Sequence, residues 1–213
     1  THITAAPIVV RERESAGAES RGLIPAFAGQ TPEGQRRRRF ATASEPVVPS
    51  RRAPTVRRLY SEAMEIRHAQ PADYGRVIGR INEWWGGRDM APMLPRLFFI
   101  HFEGTSYVVD DDDGQLAGFL IGFLSQTRDD EAYVHFVGVG PEHRGAGLGR
   151  RLYERFFDDV SRRGRTTVRC VTSPVNEASV AFHRALGFEV EGTSDEYDGG
   201  GEPRVLLAKR LGD

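Results

Sequence analysis

The chain has 213 residues, a formal net charge of −1 and a single cysteine, Cys170. That length suits one hydrophobic core, and one cysteine excludes an internal disulfide framework, which favours a reducing cytoplasm. No run approaches the roughly 18 uninterrupted apolar residues of a membrane span, and no charged-then-apolar signal opens the chain. We therefore expect a cytoplasmic protein that does not enter a membrane.

Charge divides the chain at Met64. Residues 1–63 carry 11 Arg and 6 Glu, six of the twelve prolines and an Arg run at residues 35–40, whereas residues 64–213 have a net charge of −6. We interpret residues 1–63 as a disordered or non-native basic extension, and residues 64–213 as the domain. A basic tail that binds nucleic acid or a partner is the less favoured alternative.

From Met64 onward, apolar periodicity and turn residues predict an alternating series of strands and helices. Strands are predicted at residues 64–69, 105–110, 115–126, 131–140, 165–172, 188–192 and 203–211, and helices at 71–85, 93–102, 148–160 and 173–188. The four aspartates at residues 110–113 match no calcium loop and are interpreted as a hairpin turn. This order predicts an α/β fold whose sheet contains antiparallel and parallel strands.

A basic glycine turn, "PEHRGAGLGR" at residues 141–150, lies between the fourth strand and the third helix. It lacks the lysine of a P-loop, and its glycine spacing differs from the dinucleotide-binding fingerprint. Glycines allow close approach of an anion to the backbone, and N–H groups at a helix N-terminus attract negative charge. Arg144 and Arg150 can add charged hydrogen bonds. The turn therefore predicts a cradle for an anion such as a phosphate.

The turn and a later segment together resemble a known family. "VGPEHRGAGLG" is similar to the acyl-CoA pyrophosphate loop of the GNAT superfamily of N-acetyltransferases, with Arg144, Gly147 and Gly149 at the defining positions. "NEASVAFHRALGF" resembles that superfamily's second signature, a helix that begins with Asn176 and ends in Gly-Phe. The resemblance covers about residues 64–211. It implies a mixed central sheet with flanking helices, splayed between the fourth and fifth strands.

The resemblance also implies a cofactor site and a reaction. Acetyl-CoA would be the co-substrate, with its pantetheine arm on the backbone of Val137 and Val139 and in contact with Asn176. The implied pyrophosphate site consists of backbone groups of Arg144, Gly145, Ala146, Gly147, Leu148, Gly149 and Arg150. An acceptor amine would attack the thioester directly, so that proximity and a polarised carbonyl supply the rate.

Two histidines are candidate catalytic residues. His183 stands where the family often has a tyrosine that protonates the departing thiolate, and a histidine can also donate near neutral pH. Packing without a proton role is the alternative for His183. His135 lies two residues before Val137, on the same face of an ideal strand, and is a candidate base toward the amine. Tyr133 shares that face, and Glu103 or Asp89 could reach in from the region of the second helix. A water chain or an amine that arrives deprotonated is an equal alternative, and His135 could also be an ordinary histidine of the sheet.

The acceptor would be selected by residues near the helix ends and the third strand. Two adjacent tryptophans cannot both be buried on one helix face, so we expect one to cap the core and the other to line a cleft. The candidate acceptor contacts are Trp85, Arg88, Ser125 and Gln126. No metal site is expected, and Cys170 has no activating neighbour in sequence.

We therefore predict an N-acetyltransferase that acetylates a primary amine of a small molecule. Three alternatives stay open: a protein or peptide acetyltransferase, a non-catalytic acyl-CoA-binding or sensing domain, and a nucleic-acid-associated protein that modifies a bound protein. The sequence leaves the acyl length, the acceptor and the formation of a homodimer open.

Overall fold

A computed structural model describes residues 64–199 and 201–212 of the chain. The proposed extension, residues 1–63, lies outside the described residues. The strands are β1 (Ile66–His68), β2 (Tyr107–Asp110), β3 (Leu116–Leu124), β4 (Glu131–Val139), β5 (Thr167–Thr172), β6 (Glu189–Ser194) and β7 (Arg204–Arg210). They form one sheet in the order β1-β2-β3-β4-β5-β7-β6, with β4 and β5 parallel and all other neighbours antiparallel. The predicted mixed α/β architecture is confirmed.

The helices cover both faces of the sheet. They are α1 (Tyr74–Trp84), α2 (Phe98–His101), α3 (Leu148–Ser161) and α4 (Glu177–Ala185). On one face, α3 buries Leu148, Leu152, Phe156 and Val160, the four-residue repeat that the sequence predicts. On the other face α1 packs through Val77, Ile81 and Trp84. Each buried side chain of this size contributes about 1.5–3 kcal/mol, so both layers hold the sheet in place.

The second predicted helix is shorter than the sequence indicates. Residues 93–102 were expected to be helical, but the structure has a 3-10 turn at Ala91–Met93 and a single helical turn, α2, after it. Pro95 lacks an N–H group and disfavours helical backbone at the preceding residue, and Leu94 accordingly has φ −122° and ψ 74°. The helix therefore starts only beyond the proline.

The fourth and fifth strands separate along most of their length, as the resemblance implies. Their pairing is limited to Glu131–Tyr133 against Thr167–Arg169, whereas β5 pairs with β7 along its whole length on its other side. Residues 134–139 of β4 therefore have an edge that faces a gap instead of β5. This gap lies beside the glycine turn.

A β-bulge changes the direction of side chains in the middle of β4. Ile121 pairs with Phe136 and Gly122 pairs with Val134, which leaves His135 as the extra residue. Val137 then packs in the core on the α3 side, whereas the ring of His135 stacks on Phe98 at a centroid distance of 4.5 Å. The prediction that His135 and Val137 share a face is therefore wrong, because the bulge interrupts the alternation of an ideal strand.

Candidate active site

The glycine turn ends in the N-terminus of α3 with two residues in left-handed backbone conformations. Gly145 has φ 77° and Gly147, the N-cap residue of α3, has φ 94°. A Cβ atom at either position would meet no other atom within 4 Å, so each glycine opens onto empty space. No side chain caps α3, and the first turn of a helix leaves N–H groups without carbonyl partners. The turn therefore has the form of an anion cradle.

A cavity of about 260 Å³ lies over this turn, and we call it the glycine-loop cavity. It is lined by Trp84, Trp85, Val137, Gly138, Val139, His143, Arg144, Gly145, Gly147, Leu148, Gly149, Arg150 and Phe182. Most residues of the predicted cofactor site are thus brought together on one cavity wall. Ala146 is buried in the turn, and Asn176 is not among the lining residues.

The backbone of β4 faces the gap at the two predicted positions. The N–H of Gly140 donates to the carbonyl of Ala117, so this pair is hydrogen-bonded across β3 and β4. Because hydrogen-bonded and non-hydrogen-bonded pairs alternate in an antiparallel ladder, Val137 and Val139 direct their N–H and C=O groups away from β3. These groups point toward the edge where β5 has separated. A ligand in the gap can extend the sheet by bonding to the groups of Val137 and to the N–H of Val139, since the carbonyl of Val139 accepts from Arg144.

The two arginines of the turn donate hydrogen bonds to backbone carbonyls, two of which lie in distant segments of the chain. Arg144 donates from Nε to the carbonyl of Val139 at 3.0 Å and from a terminal nitrogen to the carbonyl of Trp84 at 2.9 Å. Arg150 donates to the carbonyl of Ala185, at the end of α4, at 2.8 Å. Both residues still line the cavity. Their guanidinium groups join the cavity walls, while the backbone forms the cradle.

Both tryptophans are buried, which corrects the expectation that only one would be. Trp84 and Trp85 are each 3% exposed. Helix α1 ends at Trp84, and Trp85 has φ −98° and ψ 21°, so the two side chains no longer follow helical geometry. Both indole rings therefore reach the same layer, against Phe119, and both line the glycine-loop cavity.

A second cavity of about 310 Å³ lies further along β4, and we call it the aromatic cleft. It is lined by Phe123, Ser125, Glu131, Ala132, Tyr133, His135, Tyr197 and Asp198. His135 in this cleft and Val137 in the glycine-loop cavity are two residues apart on β4, but the bulge places their side chains on opposite faces of the sheet. Both cavities therefore border β4, and they share no lining residue.

His135 is held as a neutral imidazole with one defined tautomer. Its Nε2 lies 3.0 Å from the carbonyl oxygen of Met93, and because a carbonyl only accepts, Nε2 carries the proton. Nδ1 then bears the lone pair. Burial lowers the pKa of His135, since desolvation disfavours the charged imidazolium. His135 is thus neutral at physiological pH, with a lone pair on Nδ1, in the wall of the aromatic cleft.

A pair of tyrosines closes the other side of the aromatic cleft. The hydroxyl of Tyr197, in the loop between β6 and β7, donates to the hydroxyl of Tyr133 at 3.1 Å. Burial raises the pKa of both phenols, so both are neutral at physiological pH. The cleft's carboxylates are paired, Glu131 with Arg169 at 2.8 Å and Asp198 with Arg204 at 2.7 Å. Aromatic rings and hydroxyl groups therefore dominate its surface.

His183 lies in the core and lines neither cavity. Its Nδ1 lies 2.7 Å from the carbonyl of Ser179 and must donate to it, so Nε2 accepts the hydroxyl proton of Tyr153 at 2.8 Å. Burial lowers the pKa of His183 to about 4. Its neighbour Phe182 lines the glycine-loop cavity instead. This geometry favours the packing alternative, and the proton-donor role of His183 stays a prediction.

The remaining candidates are spread around the molecule. Asn176 caps α4, accepting from the N–H of Ser179 at 3.1 Å. Arg88 is exposed and folds back on the carbonyl of Trp85 at 3.4 Å, and Gln126 is exposed outside both cavities. Of the predicted acceptor contacts, only Ser125 lies in the aromatic cleft.

Cys170 and the acidic turn have structural roles. Cys170 is 4% exposed, and burial raises the pKa of its thiol, so it is not an activated nucleophile. Asp111 accepts backbone N–H groups inside the hairpin turn. Within residues 64–199 and 201–212, no group of three or more His, Cys, Asp or Glu side chains could hold a metal ion. None of the helices described here is long and apolar enough to span a membrane.

Sequence reasoning missed most of the aromatic cleft. Tyr197 and Asp198 lie in an acidic, glycine-rich loop to which the pattern assigns no role, and Phe123 belongs to a strand that reads as continuous core. An isolated tyrosine in a loop of small and acidic residues is the signal that could have indicated Tyr197. Loop positions carry binding residues more often than strand interiors do.

The fold and the glycine-loop cavity together define the class of protein. The acetyltransferase (GNAT) family model matches residues 58–188, more than half of the chain, so the chain belongs to the GNAT acetyltransferase family.

Individual relatives are similar over part of the chain. L-2,4-diaminobutyric acid acetyltransferase of Nocardia farcinica is 39% identical over 85 residues, which are 40% of this chain and 44% of that protein. The ribosomal protein bS18-alanine N-acetyltransferase of Escherichia coli K12 is 34% identical over 76 residues, which are 36% of this chain and 49% of that protein. The chain thus spans about half the length of these relatives.

A solved structure agrees with the fold. The structure of yncA from Salmonella typhimurium with its cofactor acetyl-CoA superimposes with a TM-score of 0.55 and 23% identity, covering 70% of this chain and 95% of that chain.

Proposed function

We propose that this chain is an N-acetyltransferase that transfers an acetyl group from acetyl-CoA to the primary amine of a small molecule, by direct attack with both substrates bound. The observation that carries the proposal is the glycine cradle: Gly145 and Gly147 are left-handed, their Cβ positions are open, and both line the cavity at the N-terminus of α3. Such a site favours a pyrophosphate over a neutral group.

The residues present fit the acyl donor. The backbone N–H groups from Arg144 to Arg150 would hold the pyrophosphate, and the gap-facing N–H and C=O groups of Val137 and the N–H of Val139 would bond the pantetheine arm. The thioester supplies an activated acyl carbon with a thiolate as leaving group. A thiol has a reference pKa of about 8.5, so its thiolate departs without an obligatory acid from the protein.

The aromatic cleft would hold the amine. The nitrogen lone pair forms a bond to the acyl carbon, the carbon–sulfur bond breaks, and its electron pair leaves on sulfur. We propose that Nδ1 of His135 accepts the proton that the amine nitrogen loses. A water chain or an amine that binds already deprotonated is the alternative. Because both cavities border β4, we expect the amine to reach the thioester directly, without a covalent enzyme intermediate.

A small acceptor is favoured by the size of the aromatic cleft. A volume of about 310 Å³ is at the lower end of the usual range for small-molecule pockets. The diaminobutyric acid acetyltransferase among the relatives supports a small amine, and the bS18-alanine acetyltransferase supports a protein N-terminus as the second candidate. Aromatic walls suit a cationic amine in either case, through cation–π attraction.

The test is free-thiol release from acetyl-CoA across amino acids, diamines, polyamines and peptides with free N-termini. We expect turnover on at least one small amine, and turnover on peptides alone would favour the second candidate. Binding of CoA without turnover on any amine would support the non-catalytic sensing domain. Affinity for DNA that is lost on trimming to Met64 would support the nucleic-acid alternative, whereas no affinity at all would exclude it.

A further inference from the structure

An unpaired hydrogen-bond donor is buried in the wall of the glycine-loop cavity. Trp85 is 3% exposed, and its indole Nε1 has no hydrogen-bond partner. Its ring packs against Phe119 and Phe136, at centroid distances of 6.1 and 5.8 Å. A Cβ atom on Gly138 would lie 2.9 Å from the ring, so the glycine makes room for the indole beside β4.

Packing alone does not account for an indole at this position. A buried donor without a partner loses its hydrogen bond to water and gains none, and most buried polar groups in proteins are paired. A phenylalanine would fill an apolar layer without that penalty. An acceptor that enters the cavity lined by Trp85 would restore the missing bond.

A second side chain in the same wall, His143, also has a buried nitrogen without a hydrogen-bond partner. Among residues 64–199 and 201–212, three buried side-chain nitrogens have no hydrogen-bond partner, those of Trp85, His143 and Arg165. Trp85 and His143 both line the glycine-loop cavity. Nε2 of His143 lies 3.5 Å from Asp111 and 3.6 Å from Glu142, without hydrogen-bond geometry. Two of these three unpaired nitrogens thus belong to residues that line the cavity where the acyl donor is proposed to bind.

We propose that the indole N–H of Trp85 donates a hydrogen bond to a carbonyl oxygen of the acyl donor's pantetheine arm. This inference rests on the proposed function. The ring lies against Gly138, between Val137 and Val139, whose backbone groups face the gap. The pyrophosphate belongs to the glycine turn, and the arm to this stretch of β4. Trp85 is therefore a binding and positioning residue for the donor, and the expected role in acceptor binding is not favoured.

The test compares two ligands that differ in the arm. CoA contains the pantetheine arm. Adenosine 3′,5′-bisphosphate is the nucleotide part of CoA without this arm and without the second phosphate of the pyrophosphate, to which the arm is attached. Calorimetry should show that Trp85→Phe weakens CoA about tenfold and leaves the affinity for the bisphosphate unchanged. The control is Phe119→Leu, which loosens the packing under the ring but keeps the N–H. It should preserve the ratio of the two affinities.

The unliganded variant gives a second readout. Removing an unsatisfied donor should not lower the thermal midpoint by more than Phe119→Leu does, while the rise in midpoint caused by CoA should shrink. Equal weakening of both ligands, or an unchanged affinity ratio, would overturn the inference. Failure of the wild-type protein to bind either ligand would instead overturn the proposed function.

Spectra of the wild-type protein provide a test that leaves Trp85 unchanged. The chain has only two tryptophans, so a ¹⁵N–¹H spectrum contains two indole signals. Spectra of Trp84→Phe assign them. On addition of CoA, the Trp85 signal should move downfield and exchange more slowly with solvent, and the bisphosphate should not cause this change. A Trp85 signal that CoA leaves unmoved would contradict the hydrogen bond.

Discussion

The glycine-loop cavity and the aromatic cleft are both lined by residues of β4, but their other walls come from different parts of the chain. The first contains a backbone cradle, made of two left-handed glycines, a helix N-terminus and a strand edge without a paired strand, beside aromatic side chains. The second is formed by side chains from β3, β4 and the loop between β6 and β7. A backbone site suits a donor common to many enzymes, and a side-chain site suits an acceptor that differs between them.

The largest expected effect tests whether His183 belongs to either region. Its pKa is about 4 in the folded chain against about 6.5 when unfolded, so between these pH values only the unfolded chain binds the proton. Stability therefore rises with pH across this window and levels off above it. From pH 7 to pH 4, wild type should lose about 3 kcal/mol more unfolding free energy than His183→Gln in denaturant titrations. If the unfolding free energies of wild type and His183→Gln changed equally with pH, the imidazole of His183 would not be buried in the core.

The second prediction tests the proposed role of His135 as the base in the aromatic cleft. His135→Gln keeps a donor for the Met93 carbonyl but removes the lone-pair nitrogen, so kcat should fall about 100-fold while CoA affinity is retained. Because burial lowers the pKa of His135, the acid limb of its kcat/KM profile should lie below pH 6.5 and vanish in the variant. The exposed His101→Asn serves as the control. A kcat within threefold of wild type would favour the deprotonated-amine alternative.

The third prediction separates two effects of replacing a left-handed glycine, the loss of acetyl-CoA binding and the loss of stability through backbone strain. Gly147→Ala places a Cβ atom in the cavity and should weaken acetyl-CoA binding by roughly 30-fold, since several amide contacts are disturbed together. Gly114, in the β2–β3 turn, is also left-handed with open space at its Cβ position. Gly114→Ala should lose similar stability, about 1 kcal/mol, and bind acetyl-CoA normally. Equal affinity in both variants would remove the cradle from the account.

The smallest expected effect concerns the loop that closes the aromatic cleft. Tyr197→Phe removes the hydroxyl that donates to Tyr133 and should raise KM for the amine about fivefold, the value of one hydrogen bond, with little change in kcat or in KM for acetyl-CoA. Steady-state kinetics on the preferred amine provide the measurement. A change confined to the KM for acetyl-CoA would assign the loop to the donor side.

The glycine turn of the first cavity was predictable because backbone conformation follows from local sequence. Glycines at positions 145, 147 and 149 and a helical repeat beginning at Leu148 indicate an anion cradle even without a relative. The directions of Arg144 and Arg150 were not predictable, because their partners are carbonyls of Trp84 and Ala185 that are distant in sequence.

The aromatic cleft depended on features without a local signature. The bulge at His135 reverses one side chain relative to Val137, and the alternation of polar and apolar residues does not reveal an inserted residue. Tyr197 reaches Tyr133 only because β6 and β7 bring their loop back across the sheet. His183 has the expected position in the helix signature, yet Tyr153 and Ser179 hold it in the core. Long-range packing decided these three outcomes.

Direct transfer can be tested by initial rates of thiol release with acetyl-CoA and amine concentrations varied together, alongside mass spectrometry of the protein mixed with acetyl-CoA alone. If both substrates are bound at once and the acetyl group passes directly between them, the double-reciprocal lines should intersect. The mass of the protein should then stay unchanged. Parallel lines with an added acetyl group on the protein would contradict direct transfer.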